Sequence, residues 1–429
     1  MRFWVDEAWL PDGWARDVAF TLEGAAIGAV TPGRREGTHL PGRAVPGMPN
    51  LHSHTFQRAM AGLAERRGPA ADSFWTWREV MYGFLAKLTP DDVQAIAAQA
   101  MMEMLEGGFT HLAEFHYLHH APDGAPYADP AEMAVRIGAA AEEAGIGLTM
   151  LPVLYSHGGF GAQPPSPGQR RFLNGTDSYL RLLERTRAAL PDAVVGVAPH
   201  SLRAATAAQI TEVLRASPAG PVHIHVAEQV AEVEQCLAWC GQRPVRHLLD
   251  TQPVDARWCL VHATQMLPEE TAALSATGAV AGLCPITEAN LGDGIFDALR
   301  FTGPWGVGSD SNVEITAPGE LRMLEYGQRL LHRGRNLLAR GEGRSTGEDL
   351  WRAALAGGAR ACGIATPVLA PGARADIAWL DGTPDEAIFA AAPVTRVMAA
   401  GRVVVEAGRH ARREAIAARF RRVLERLRG

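Results

Sequence analysis

A short apolar run that ends in two histidines reads Pro49-Asn50-Leu51-His52-Ser53-His54. Successive side chains of a β-strand point to opposite faces, so residues two apart project to the same side. On a strand, His52 and His54 would present both imidazoles to one point. Such a pair suits a single metal ion, but paired histidines are also common on protein surfaces. Whether these two bind a metal therefore depends on which other residues lie near them.

Similar short apolar runs recur between residues 47 and 367, and longer stretches rich in Ala, Leu, Glu and Arg separate several of them. The stretches 90–106 and 130–144 are examples of the helical kind. Alternating strands and helices predict a parallel sheet, and eight such strands predict an α/β fold with a (β/α)8 barrel of TIM type. The predicted strands end near His54, Glu114, Tyr155, His200, His225, His262, Cys284 and Asp310.

The two flanks of the chain differ from its centre, because residues 1–46 and 368–412 contain short β-like pieces with glycine turns. We expect both flanks to meet in one small composite β-sandwich beside a barrel domain that spans residues 47–367. Residues 413–429 carry many arginines on a helical pattern and predict a C-terminal helix. We expect this helix to be solvated rather than bound to a membrane, since its apolar face is narrow.

Composition and charge exclude several classes of protein. The 429 residues are 47% hydrophobic and 21% charged, with 45 Gly and 28 Pro, which excludes coiled-coil, collagen-like and disordered chains. The 41 Lys and Arg against 47 Asp and Glu give a net charge of −6, so we expect no nucleic-acid partner. We find neither a signal-peptide pattern nor an apolar stretch of about 18 residues, and we expect a cytoplasmic protein without a membrane partner.

Cysteine and lysine usage narrow the chemistry further. The five cysteines form no CxxC pair and no disulfide framework, which predicts reduced thiols and fits the cytoplasm. Lys87 is the only lysine of the chain. A P-loop lysine, a Schiff-base lysine or a carboxylated lysine that bridges two metals would have to be this residue. Because it lies in a plain amphipathic run, we expect a surface lysine and none of these chemistries.

Three more polar residues stand at the ends of later predicted strands. His225 ends the run from Pro221, His262 ends the run from Trp258, and Asp310 ends the run from Trp305. In a barrel these ends converge on one face, where active sites of this architecture lie. Three neutral imidazoles and one carboxylate suit Zn²⁺ and tolerate Fe²⁺, Mn²⁺ or Co²⁺. The pattern therefore predicts one divalent metal ion and leaves its identity open.

Glu228 follows His225 by three residues, just past the predicted strand end. There a carboxylate reaches a bound substrate without being a metal ligand. Hydrolysis at an sp² carbon needs a group that moves protons to the leaving nitrogen, and Glu228 is a candidate for this role. The ordinary alternative is an acid that the dipole of the following helix favours; next to a metal site, catalysis is the better interpretation.

Taken together, these features resemble the amidohydrolase superfamily over nearly the whole chain. Within that superfamily, the stretches Pro46–Leu63 and Ser73–Tyr82 closely resemble the formimidoylglutamate deiminase family of bacterial histidine degradation. The resemblance implies hydrolytic deimination of N-formimino-L-glutamate to N-formyl-L-glutamate and ammonia. It also implies one divalent metal ion, most commonly Zn²⁺, and a homodimer. A missing lysine near the fourth strand agrees with the branch that uses a single metal.

The resemblance also assigns roles to residues of this sequence. The implied metal ligands are His52, His54, His225 and Asp310. The implied catalytic residues are Glu228, His262 and Asp310. The implied substrate contacts are Gln57, Arg78, Tyr117, His200 and Arg203.

Two arginines give an independent physical argument for an acidic substrate. Arg78 and Arg203 follow predicted strand ends or lie in a loop at the barrel mouth, and guanidinium groups bind carboxylates in a forked geometry. A small molecule with two carboxylates would use such a pair, whereas a neutral nucleobase has no need of it. The ordinary alternative for each arginine is a surface ion pair.

Two other functions remain open at this point. An aminohydrolase that deaminates a purine, a pyrimidine or a related ring would use the same metal set. A catalytically inactive barrel could serve as a binding or scaffold protein, but the presence of Glu228, His262 and Asp310 together weighs against it.

Overall fold

In the computed structural model, residues 1–65, 67 and 74–428 are described, with the backbone alone for residues 74 and 75. Ser73, the first residue of the motif 73–82, lies outside the described residues. The strands are β1 (Arg2–Leu10), β2 (Gly13–Glu23), β3 (Ala26–Thr31), β4 (Thr38–His39), β5 (Arg43–Pro46), β6 (Met48–Ser53), β7 (Phe109–His116), β8 (Gly147–Leu154), β9 (Val194–Val195), β10 (Ala198–Pro199), β11 (Val222–Val226), β12 (Trp258–His262), β13 (Val280–Leu283), β14 (Trp305–Val307), β15 (Ile377–Leu380), β16 (Val394–Ala399), β17 (Arg402–Glu406) and β18 (Arg409–His410).

Helices separate most of the central strands, as the alternating sequence pattern predicts. They are α1 (Phe74–Leu85), α2 (Pro90–Glu106), α3 (Glu132–Ala144), α4 (Thr176–Ala189), α5 (Ala207–Ala216), α6 (Val230–Cys240), α7 (Pro244–Thr251), α8 (Pro268–Thr277), α9 (Pro285–Leu291), α10 (Ala317–His332), α11 (Thr346–Cys362), α12 (Pro384–Phe389) and α13 (Arg413–Arg428). A 3-10 helix, Thr55–Met60, follows β6 directly. The chain therefore has an α/β fold.

The central strands form two parallel sheets whose edges are joined. The first sheet has the order β10-β8-β7-β6, with β9 also on β8, and the second has the order β11-β12-β13-β14. Parallel bridges link Ser201 with His225 on one side and Ser53 with Asp310 on the other. All eight expected strands are found, and the one that ends near His200 is split into β9 and β10.

Burial on both faces explains why the central strands read as nearly continuous apolar runs rather than as alternating ones. Every residue of β6, β7 and β11 is buried, as is usual for parallel sheets covered by helices. The helices begin at recognisable signals. Thr89 caps α2 by accepting a hydrogen bond from the backbone nitrogen of Asp92, whose side chain accepts one from the Thr89 nitrogen.

Both flanks of the chain join one sheet, which contains nine strands within the described residues. Its order is β18-β17-β16-β15-β5-β1-β2-β3, with β4 paired to β1. The strand β5 connects the flanks, because it pairs with β1 in parallel and with β15 antiparallel. Phe3, Phe20 and Trp379 pack in a core of this region that is separate from the central one. The flanks thus meet as expected, while their arrangement as a two-layer sandwich stays a prediction.

The C-terminal helix α13 packs against α2, where Arg426 contacts Asp92 and Arg413 contacts Glu106. Lys87 also contacts this helix, with Nζ donating to the carbonyl oxygen of Leu427 at 3.3 Å. All five cysteines are free thiols, and four of them are buried. Among the helices of the described residues, none combines the length and the apolar character that a membrane crossing requires.

Candidate active site

The residues expected to bind a metal ion come together at the C-terminal ends of the parallel strands. His52 lies in β6, His54 follows it, His225 lies in β11 and Asp310 follows β14. One nitrogen or oxygen of each lies within 4.8 Å of the others. His225 Nε2 is 3.0 Å from His52 Nε2, and Asp310 Oδ1 is 3.5 Å from His52 Nε2 and 3.4 Å from His54 Nε2.

In His54 and His225, a hydrogen bond at Nδ1 leaves Nε2 as the nitrogen that faces this cluster. His54 Nδ1 lies 2.7 Å from the carbonyl oxygen of Phe115, and His225 Nδ1 lies 3.0 Å from that of His200. Because a carbonyl oxygen only accepts, Nδ1 carries the hydrogen in both rings. Burial lowers the pKa of both, that of His225 well below its usual value. The neutral rings therefore turn bare Nε2 lone pairs toward a carboxylate.

His52 completes this donor set. Its side chain is fully buried, and burial lowers its pKa to about 3. Its Nδ1 atom has no hydrogen-bond partner among the described residues, and its Nε2 faces His225 and Asp310. Three neutral imidazoles and one carboxylate with facing lone pairs would repel one another without a positive charge between them. The residues present therefore fit one divalent metal ion.

A second group with donor atoms close enough for a metal ion contains His262, Cys284 and Asp310. Burial raises the pKa of the Cys284 thiol well above its usual value. A protonated thiol is a poor ligand, since it is the thiolate that binds metals. The first group, with His52, His54, His225 and Asp310, is therefore the better metal site.

Glu228 and His262 lie next to the metal cluster. His262 Nε2 is 3.8 Å from Glu228 Oε1 and 3.8 Å from Asp310 Oδ2. Both side chains are almost completely buried, and burial raises the pKa of Glu228 to about 7. A carboxylic acid with a pKa near neutrality both releases and takes up a proton at physiological pH, as proton transfer in catalysis requires.

The orientation of His262 depends on Glu288, which the sequence analysis missed. His262 Nδ1 lies 3.3 Å from Glu288 Oε1, which also accepts a hydrogen bond from the backbone nitrogen of Cys284 at 2.9 Å. Glu288 lies in the first turn of α9 and is buried. In the sequence, Glu288 is an acid four residues after the predicted strand end at Cys284, a place where acids are common because of the helix dipole.

The turns that carry His54 and Asp310 are held by buried side chains. Glu114 accepts hydrogen bonds from the backbone nitrogen of Thr55 at 2.9 Å and from its hydroxyl at 2.7 Å. Asn312 donates from Nδ2 to the carbonyl oxygens of His54 at 3.1 Å and Asp310 at 2.8 Å. Asn312 was not among the predicted site residues, and Glu114 was predicted only as a strand end.

Several residues at these strand ends have a left-handed backbone, which side chains other than glycine adopt at a cost. The φ angle is 51° at Ala227, 69° at His262 and 42° at Asp310. Each follows or ends a central strand. The strain lies where the chain turns to direct Glu228, His262 and Asp310 into one space, as is common at functional sites.

A cavity opens above the cluster and contains every substrate contact that the resemblance implied. The residues that line it include His54, Gln57, Arg78, Tyr82, Tyr117, Tyr155, His200, Arg203, His225, Glu228, His262 and Asp310. Gln57 donates from Nε2 to the Tyr117 hydroxyl at 2.8 Å, and its buried Oε1 has no hydrogen-bond partner among the described residues. His52 lies behind this lining and contacts the cavity residues His54 and His225.

The cavity is electrostatically divided. Arg78 stacks on the ring of Tyr82, with its guanidinium carbon 5.6 Å from the ring centroid. Burial lowers the pKa of Arg203, but the negative charges of Glu232 and Glu228 outweigh this and raise it overall. Two guanidinium groups therefore share a cavity with the candidate metal site and with the carboxyl group of Glu228. Guanidinium groups in a cavity suit an anionic small molecule.

A family profile and a known relative both match most of this chain. The sequence profile of the Amidohydrolase family matches residues 43–404. Formimidoylglutamate deiminase of Pseudomonas aeruginosa is 52% identical over 443 aligned residues, which cover 98% of this chain and 98% of that protein.

Two of the similar solved structures match this chain over its full length. The crystal structure of an amidohydrolase from Brucella melitensis has a TM-score of 0.97 and 50% identity, and the match covers 100% of both chains. An adenosine deaminase from Xanthomonas campestris, solved with bound zinc, has a TM-score of 0.82 and 20% identity, with 100% of this chain and 98% of that one covered. At this lower identity, the second likeness shows a shared fold.

Proposed function

The chain belongs to the amidohydrolase family, and from this premise we propose that it hydrolyses N-formimino-L-glutamate to N-formyl-L-glutamate and ammonia. Membership and the 52% identity to a formimidoylglutamate deiminase confirm the resemblance that the motifs indicated, and they make the chain a hydrolase of C–N bonds. The observation that carries the choice of substrate is the cavity whose lining includes two arginines together with residues of the candidate metal cluster.

We propose that His52, His54, His225 and Asp310 hold one divalent ion, with zinc as the first candidate. Such an ion would supply Lewis acidity, which brings the pKa of an attacking water toward neutrality. The support is the facing set of bare imidazole nitrogens and the carboxylate. Asp310 is suited to take a proton from that water, because its carboxylate lies among the clustered imidazoles and its Oδ2 also reaches toward His262.

Proton transfer to the leaving group is the proposed role of Glu228. Water adds to the formimino carbon, the bond from this carbon to the terminal nitrogen breaks, and Glu228 delivers the proton that lets ammonia leave. Its buried carboxyl, with a pKa raised to about 7, supports this role. His262 turns Nε2 toward the same space and would stabilise the charge that develops on the attacking oxygen.

Substrate binding is the proposed role of the remaining cavity residues. Arg78 and Arg203 would bind the two carboxylates of the glutamate part, since charge-assisted bonds from guanidinium to carboxylate are strong and geometrically specific. Gln57, Tyr117 and His200 would contact the rest of the molecule. The buried Gln57 Oε1, which lacks a hydrogen-bond partner among the described residues, is available to accept a bond from the substrate.

The domain architecture is likewise proposed. The two parallel sheets would close into a (β/α)8 barrel over residues 47–367, as the bridges at both edges support. Residues 1–46 and 368–412 would form the composite β-sandwich, and 413–429 the terminal helix. We further propose a cytoplasmic enzyme of histidine degradation.

A homodimer is proposed from an exposed apolar stripe. Helix α10 exposes 80% of Leu330 and 52% of Leu331, and Met323 and Tyr326 are exposed one or two turns earlier on this helix. Contiguous exposed apolar surface marks interaction sites in soluble proteins. Light scattering on the purified protein would test this, because a monomer at micromolar concentration contradicts the proposal.

Ammonia release by the metal-loaded protein tests the proposed reaction. N-formimino-L-glutamate is compared with adenosine, guanine and cytosine, and a chelator-treated sample serves as the control. We expect rapid, chelator-sensitive release from formiminoglutamate alone. Release from a nucleobase alone would replace the proposal with the aminohydrolase alternative, and no release from any of the four would favour a non-catalytic barrel.

A further inference from the structure

Glu232 is a fully buried carboxylate next to the proposed proton-transfer residue. It lies in the first turn of α6, and its side chain is 0% exposed. Glu232 Oε1 accepts a hydrogen bond from the backbone nitrogen of Ala227 at 3.2 Å, and Oε2 accepts one from that of Glu228 at 3.1 Å. Both oxygens are therefore occupied by the turn that carries Glu228.

This arrangement differs from ordinary capping of a helix. An acid at the third position of a helix usually accepts from the nitrogen of the N-cap residue, which here is Gln229. Glu232 instead reaches the two residues before the N-cap. One of them, Ala227, has a φ angle of 51° and is not a glycine. The carboxylate thus stabilises a costly turn rather than the helix end.

The same turn is held on its other side by Gln265, whose backbone nitrogen donates to the carbonyl oxygen of Ala227 at 2.9 Å. Gln265 Nε2 also donates to the carbonyl oxygen of Glu228 at 3.4 Å. The amide nitrogens and carbonyl oxygens of Ala227 and Glu228 are therefore all hydrogen-bonded. The direction of the Glu228 side chain follows from these contacts.

Glu232 also acts on Arg203. Arg203 is 9% exposed and lines the cavity, and the carboxylate of Glu232 heads the charges that raise its pKa against burial. A buried guanidinium without such a counter-charge would be costly to keep charged. One carboxylate therefore contacts the turn of the proton-transfer residue and also contributes negative charge to the surroundings of a buried arginine that lines the cavity.

We propose that Glu232 is a positioning residue for the deimination: it holds the turn 227–228 so that Glu228 faces the reacting carbon, and its negative charge offsets that of the buried Arg203 in the same cavity. The proposal rests on the proposed function. Glu232 acts through these two residues and does not itself touch the substrate.

The variants Glu232→Gln and Glu232→Asp test this proposal. Gln keeps one acceptor oxygen and loses the charge, whereas Asp keeps the charge and shortens the reach. We expect Glu232→Gln to lower kcat by about tenfold or more and to raise KM severalfold, because buried bonds to a charged group are lost. Glu232→Asp should recover part of both. Glu234→Gln, at an exposed position of the same helix, should stay within about twofold of the wild type.

A double-variant experiment separates positioning from general damage to the fold. If Glu232 acts on kcat through Glu228, Glu232→Gln should lower kcat little further in a Glu228→Gln background. A full, multiplicative loss in the double variant would overturn the proposal, as would a Glu232→Gln enzyme indistinguishable from Glu234→Gln. If Glu232→Gln does not fold, the same comparison is made with Glu232→Asp.

Hydrogen exchange of the backbone amides tests the proposal without any substrate. In the wild type, the amides of Ala227 and Glu228 should be protected, and Glu232→Gln should exchange them faster while leaving the β12 amides unchanged. Unchanged exchange at 227–228 would overturn the proposal. A wild-type protein that releases no ammonia from formiminoglutamate would instead reject the proposed function, so the two failures are distinguishable.

Discussion

Glu288 Oε1 lies 3.3 Å from His262 Nδ1, and this contact turns the other ring nitrogen, Nε2, toward Glu228 and Asp310. A carboxylate accepts only, so the hydrogen of His262 is held on Nδ1 by Glu288. Three surrounding carboxylates raise the pKa of His262 to about 10 even though burial opposes protonation. Glu288 thus orients a proposed catalytic group and, together with Glu228 and Asp310, favours its charged form.

Removing this contact should impair turnover more than binding. For Glu288→Ala, we expect kcat to fall by about 10- to 100-fold with KM nearly unchanged, because an orienting partner is lost. Glu288→Gln keeps an acceptor oxygen and should lose less. Steady-state kinetics checks this, with Glu269→Gln at an exposed position of α8 as the control. Equal effects on kcat and KM would speak against an orienting role.

Metal content should depend on the four clustered residues and not on Lys87. We expect about one divalent ion per chain by elemental analysis, and we expect His225→Ala or Asp310→Asn to reduce both this content and activity to near background. Because a bound ion stabilises the folded state, chelation should also lower Tm in the wild type. In His225→Ala, chelation should change Tm little. Two ions per chain, or full metal content in these variants, would contradict the site.

Glu228→Gln should separate chemistry from metal binding. The amide cannot transfer the proton, so we expect kcat to fall by about 10²- to 10⁴-fold while metal content stays near that of the wild type. Kinetics and elemental analysis on the same preparation make the comparison. Loss of the metal in this variant would mean that Glu228 is a ligand and not a proton-transfer group.

The two cavity arginines should act mainly on substrate binding. We expect Arg78→Met and Arg203→Met each to raise KM by about 10- to 100-fold, since a buried bond to a carboxylate is lost. With formiminoglycine, which lacks the side-chain carboxylate, one of the two variants should lose its defect relative to the wild type. Arg181→Met, at an exposed position of α4, is the control. Unchanged KM in both arginine variants would remove the argument for a dicarboxylate.

Much of the cluster could be predicted from the sequence because the strand period and the strand ends locate side chains directly. His52 and His54 share a face since they are two apart on a strand, and His225, His262 and Asp310 meet them because parallel strands end on the same side. The turns that hold His54 and Asp310 just past their strands were not part of this prediction.

Glu232 and Glu288 could not be found in this way. Each lies in the first turn of a helix, a place where acids are common for reasons of the helix dipole alone. Their importance depends on which backbone amide or ring the helix brings within reach, and only the packed structure gives that. The pairing of β5 with β1 and with β15 could not be predicted either. Short β-like pieces in a sequence do not specify which strands they pair with.

The identity of the products tests the proposed reaction most directly. Mass spectrometry and an ammonia assay on one reaction of the metal-loaded protein with N-formimino-L-glutamate measure which C–N bond breaks. We expect N-formyl-L-glutamate and ammonia in equal amounts, because Glu228 would protonate the terminal nitrogen. L-glutamate with formamide would place the proton on the other nitrogen and would contradict the proposed reaction.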